Sequence, residues 1–85
     1  MTPIKSSSKR YLGEGDHVSH SSKNLILRTK MNPGIGAPVY NEKGRRVGKI
    51  YDVFGPVDEP FVSLEVDDDP YHLISEKLYI SKGRT

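Results

Sequence analysis

From Arg10 onward the apolar residues come in short runs, each closed by Gly, Pro or Asn within 8 to 12 residues. That rhythm matches the strand-and-turn spacing of closed all-β domains and leaves no helix long enough to bury a face. No window of about 11 residues keeps an apolar stripe at i, i+3, i+4 and i+7. Six strands are expected, over residues 10–19, 24–28, 38–40, 46–54, 61–66 and 78–81. Six strands in about 75 residues suit a small closed barrel. With 85 residues in all, there is room for a single core. Residues 1–9, MTPIKSSSK, hold three consecutive serines and little apolar content. They are expected to be a flexible arm before a barrel over 10–81 and a flexible C-terminus over 82–85.

Turn chemistry supports this division. Asn41-Glu42-Lys43-Gly44 reads as a hairpin loop on a type I turn, with Gly44 in the left-handed position, so the third and fourth strands should be antiparallel neighbours. Asn32-Pro33-Gly34 is a second turn, in which Pro33 presets φ and Gly34 accepts a positive one. Asp67-Asp68-Asp69-Pro70 ends the fifth strand, and the stretch from Tyr71 to Lys77 is a loop or a single helical turn. Alternation puts Val62, Leu64 and Val66 on one side of the fifth strand, and Leu25 and Leu27 on the inner side of the second. In the fourth strand Ile50 and Phe54 fall on one side and Tyr51 and Val53 on the other. Both of its faces are apolar, although a barrel has one interior.

Composition narrows function by exclusion. There is no cysteine, which removes disulfides and thiolate metal sites and fits a reducing compartment. No apolar stretch reaches the roughly 18 residues of a membrane span, so no membrane partner is expected. His17, His20 and His72 lack ligand spacing for a metal, Gly34-Ile35-Gly36 lacks the remainder of a phosphate cradle, and nothing resembles a nucleophile elbow. The chain is expected to be no enzyme and to need no cofactor.

Charge is unevenly placed. Residues 1–50 hold ten Lys/Arg against three Asp/Glu, a net +7, whereas residues 51–85 hold three against eight, a net −5. Arg28, Lys30, Arg45, Arg46 and Lys49 lie among Tyr11, Tyr40 and Tyr51. This combination makes those basic residues candidate RNA contacts, and a small RNA-binding or ribosome-maturation barrel is the alternative function. That alternative needs Tyr51 or Tyr40 flanked by Arg28, Arg46 and Lys49 on one open sheet face.

The segment Val47-Gly48-Lys49-Ile50-Tyr51-Asp52-Val53-Phe54-Gly55-Pro56-Val57 points elsewhere. Gly48 suggests a bulge or bend, Gly55-Pro56 a rigid corner holding Phe54 and Val57 at the surface, and Pro60 a stiffened loop beyond it. A rigid apolar corner has little conformational entropy left to lose on docking. The candidate partner-binding residues are Ile50, Phe54, Gly55, Pro56, Val57 and Pro60.

Together with Asn24-Leu25-Ile26-Leu27-Arg28-Thr29 and Ile35-Gly36-Ala37-Pro38-Val39-Tyr40, this segment closely resembles the GAR family over residues 10–81. These are accessory subunits of H/ACA guide ribonucleoproteins, which convert selected uridines of ribosomal RNA to pseudouridine. The resemblance implies a six-stranded barrel of the translation-factor second-domain type, without catalytic residues. It implies docking on the dyskerin-type pseudouridine synthase subunit, with guide RNA reached indirectly through the complex. The expected effect is on the enzyme's mobile substrate loop, and hence on substrate loading and product release. Only isolated Gly44-Arg45 and Gly83-Arg84 stand in for the Gly/Arg-rich tails of eukaryotic members. An archaeal, cytoplasmic form is expected on that ground; a eukaryotic one would be nucleolar.

Overall fold

Every strand sends its apolar side to a common interior. The computed structural model describes residues 9–81. Its strands are β1 (Lys9–Val18), β2 (Leu25–Arg28), β3 (Pro38–Tyr40), β4 (Arg46–Phe54), β5 (Phe61–Val66) and β6 (Lys77–Ser81), with a 3₁₀ turn at Pro70–Leu73. They close as an antiparallel ring in the order β1-β2-β5-β4-β3-β6. Closure gives every strand two neighbours, although Asp52, Val53 and Phe54 are in register with β5 alone, beyond the reach of β3. Leu12, Leu25, Leu27, Val39, Ile50, Val62, Leu64, Leu78 and Ile80 form the core, so each strand contributes at least one side chain.

The six expected strands are all present. The arm was expected to reach residue 9, yet Lys9 already pairs with Ser81 in the β1–β6 ladder. The rest of the expected arm, and the expected C-terminal extension over 82–85, lie outside the described residues. In the β3–β4 hairpin Gly44 has φ of 84° and its amide donates to the Asn41 carbonyl at 2.9 Å. The Asn41 side-chain oxygen accepts from the amides of Lys43 and Arg45, which is why asparagine opens this loop. In the other turn the positive φ falls on Gly36, at 90°, and not on Gly34 as the Asn-Pro-Gly pattern suggested. The cause is a later chain reversal: the Gly36 amide donates to the Ile50 carbonyl at 2.7 Å, bending the chain onto β4 two residues after the expected place.

A register shift between Ile50 and Asp52 resolves the two-faced strand. Ile50 pairs with Leu64 and Asp52 with the very next residue back, Ser63, so Tyr51 is an extra residue with no partner of its own. One extra residue inverts the alternation of everything after it. Before the bulge Gly48 and Ile50 point inward; after it Val53 packs on the core and Phe54 is turned out. Sequence alternation had put Ile50 and Phe54 on one side. The bulge separates them.

Gly48 sits beside a second shift, between β3 and β4. A Cβ there would stand 2.2 Å from the Glu65 carbonyl oxygen of β5. Only glycine lets the two backbones come so close. After β5, where either a loop or a single helical turn was open, the chain makes a 3₁₀ turn, with Asp69 accepting from the Tyr71 amide at 3.0 Å and Pro70 in the first position. It leads into Ser75, whose amide donates to the Gly15 carbonyl at 2.7 Å, fastening the segment across β1.

Candidate docking site

The corner after β4 is built from both ends of the β4–β5 pair. Phe54 is the register partner of Phe61, and their rings stack with centroids 5.6 Å apart and 21° between planes. The Arg28 guanidinium, at the end of β2 and opposite Phe61 in register, covers Phe61 with 5.0 Å to the ring centroid. Such a stack, with a cation over it, holds the outer ring in one place. Gly55 follows with φ of 94°, and a Cβ on it would meet the Phe61 ring at 3.0 Å. Both the backbone angle and the close ring demand glycine. Phe54 is left 46% exposed and Val57 95%. Pro56 between them is exposed as well. An apolar side chain so open on a braced corner is held out by the backbone and has no intramolecular contact to gain.

Two of the candidate contact residues do not belong to this surface. Ile50 is 1% exposed and sits in the barrel core, because it precedes the bulge. Pro60 is buried; its carbonyl accepts from the Thr29 amide at 3.0 Å and ties the corner loop back to the end of β2. Pro60 anchors the corner loop, and Ile50 belongs to the core. Phe54, Gly55, Pro56 and Val57 remain together at the surface.

The five basic candidates do not share one face: Arg28 and Lys30 line one groove with Tyr11, and Arg45 and Arg46 line another. Arg28 lies at the Phe54 end of the barrel and Arg46 at the far end of β4, eight residues or about 26 Å away. Lys30 lines a groove beside Tyr11, away from Lys49. Lys49 reaches Glu65 at 3.4 Å, and Arg46 comes to 4.0 Å from Asp67. Arg45 lines a different groove at the Arg46 end, beside Asp67, Asp68 and Asp69. The face required for the RNA alternative, with Arg28, Arg46 and Lys49 around one tyrosine, is therefore not formed by those residues.

Phe61 is the residue that sequence reasoning left out of the corner. Its signal was present, since it opposes Val62 and Leu64 in the alternation and so points outward beside the chain reversal. Only the pairing of β4 with β5 puts Phe54 against it.

Comparison with known proteins places these features in a family. The model of the Gar1/Naf1 RNA binding region matches residues 11–84. An uncharacterized protein of Methanothermobacter thermautotrophicus is 39% identical over 54 residues, covering 64% of this chain and 58% of that protein. The H/ACA ribonucleoprotein complex subunit 1 of Drosophila melanogaster is 28% identical over 81 residues, covering 89% of this chain and 34% of that protein. Among solved structures, that of the Gar1 domain of NAf1 superposes with a TM-score of 0.68 at 20% identity, over 95% of this chain and 94% of the other. The chain thus spans about a third to three-fifths of the curated relatives it matches. The family match takes in all six strands, beginning two residues into β1, and by it this chain belongs to the Gar1/Naf1 family.

Proposed function

We infer that this barrel is a non-catalytic accessory subunit of an H/ACA ribonucleoprotein, docked through Phe54, Gly55, Pro56 and Val57 on the dyskerin-type pseudouridine synthase. The observation that carries the reading is the corner itself: Val57 stands 95% exposed on a turn braced by the Phe54–Phe61 stack. Burying such a preformed apolar corner gains hydrophobic contact with little loss of conformational freedom. Family membership supplies the complex, since a relative of 28% identity is an H/ACA ribonucleoprotein subunit. Bound there, the barrel would act on the enzyme's substrate loop, promoting loading of the target RNA and release of the product. Its place follows the synthase, in the cytoplasm of an archaeal cell or the nucleolus of a eukaryotic one.

Co-purification with the synthase, with and without guide RNA, tests the reading. Val57→Asp puts a charge that water tolerates into a contact that excludes water. It should abolish co-purification while leaving the melting temperature of the free barrel unchanged. Full binding by the variant, or unfolding of the free barrel, would put the docking surface elsewhere. Incubated alone with guide and target RNA, the chain should form no pseudouridine. Product formation that survives a chelator would overturn the accessory reading.

A further inference from the structure

Three tyrosines distant in sequence fall into one row on the outer wall. Tyr40 of β3 is the register partner of Tyr79 of β6, and Tyr79 is the register partner of Tyr11 of β1. Their strand neighbours Val39, Leu78, Ile80 and Leu12 are core residues, so alternation turns the three rings outward. Tyr11 is 52% exposed, Tyr40 and Tyr79 are half-buried, and the Tyr11 and Tyr79 rings meet edge to face at 5.7 Å. Strand propensity accounts for a tyrosine on a wall, and cross-strand packing for a pair. Neither accounts for the charge around this row.

The Lys9 ammonium lies 4.5 Å over the Tyr79 ring and donates to the Glu42 carbonyl at 2.5 Å. Arg46 is the register partner of Tyr40, and Lys77 lies two residues before Tyr79 on the same face. Among the described residues neither Lys9 nor Lys77 has a carboxylate within 4.0 Å, and Arg46 meets Asp67 only at that limit. Past Tyr11 the wall opens into a groove of about 440 Å³ lined by Arg28 and Lys30 and equally by Glu14 and Glu59.

We propose that the Tyr40–Tyr79–Tyr11 row is a second binding face, taking a short single strand of RNA with bases stacked on Tyr11 and Tyr40 and a phosphate between them on the Lys9 ammonium. Aromatic faces accept any base, and the cation between them answers the backbone, which is the chemistry of single-strand recognition. A duplex hides its base faces, and an acidic peptide would use the lysines without needing exposed rings. The matching family is described as an RNA binding region. Around the ring Tyr79 of β6 is three strands from Phe61 of β5 in either direction, while the groove beyond Tyr11 runs toward the corner, where Arg28 covers Phe61.

Fluorescence anisotropy of the full chain with a labelled oligouridine of about 12 nucleotides tests this, a length within the usual site size of such barrels. The expected result is micromolar binding at about 50 mM salt that weakens steeply by about 200 mM. Tyr11→Ala and Tyr40→Ala should each weaken binding by about tenfold. Tyr11→Phe, which keeps the ring, should bind like the parent; Tyr11→Leu, which keeps the apolar bulk alone, should bind like the alanine variant. Lys9→Gln should lower the salt slope by about one, and Val57→Asp should leave RNA binding unchanged, which separates this face from the corner. Absence of binding at low salt, duplex RNA binding as tightly as the single strand, or parental affinity in Tyr11→Leu would each overturn the proposal. So would a poly-glutamate peptide that binds with the same dependence on Tyr11, since the occupant would then be an acidic protein segment.

Discussion

At the residue scale, position relative to one bulge decides what each apolar side chain of β4 does. Ile50, before it, is a core residue, and its truncation to alanine should cost about 2–5 kcal/mol, the range for a buried aliphatic side chain. For a domain of this size each kcal/mol lowers the melting temperature by about 4–8 °C, so Ile50→Ala should be largely unfolded near body temperature. Phe54, after the bulge, is half-exposed and held by one stack. Phe54→Ala should therefore cost only about 1–2 kcal/mol of stability, while weakening synthase binding at least about 30-fold if the ring is a central anchor. Thermal melts and titration calorimetry on the two variants check the pair; equal losses of stability would contradict the inverted alternation. Much of this was legible beforehand. The rigid corner, the outward Phe54 and Val57 and the inward Leu25, Leu27, Val62 and Leu64 all follow from Gly-Pro chemistry and period-two alternation. Ile50 and Pro60 were misplaced among the contact residues because neither a bulge nor a buried loop anchor is marked in the local pattern.

At the scale of elements, the barrel depends on close approach between β4 and β5. Gly48→Ala would drive a methyl group into the Glu65 carbonyl 2.2 Å away, and the strands must part to admit it. The expected cost is about 1–3 kcal/mol, seen as a lowered midpoint in urea. Parental stability in this variant would mean that the strands are not held so close. The hairpin between β3 and β4 is the contrasting case: Asn41→Ala removes an acceptor for two backbone amides at an exposed turn. Water replaces it there, and the loss should be about 1 kcal/mol. The exposed Lys49–Glu65 pair should contribute less still, below about 1 kcal/mol and less at high salt.

For the molecule as a whole, the sequence by itself determined the class of fold. Short apolar runs punctuated by turn residues exclude helices, six such runs exhaust the chain, and alternation names most of the residues that face inward. Those are local properties, set by backbone sterics and by which side chains shun water, and they need no knowledge of strand partners. Tertiary structure decided everything that rests on which strands meet. Ring closure brings β6 between β3 and β1 and so aligns Tyr40, Tyr79 and Tyr11. The β4–β5 register sets Phe54 on Phe61, and the extra residue at Tyr51 chooses which half of β4 faces inward. The five basic candidates, neighbours in composition, are dispersed to both ends of the barrel by the same pairing. The physical reason is that a strand's partner is selected by the joint packing of all six around one core. A register shift of a single residue, invisible in either strand alone, then moves whole side chains between interior and solvent.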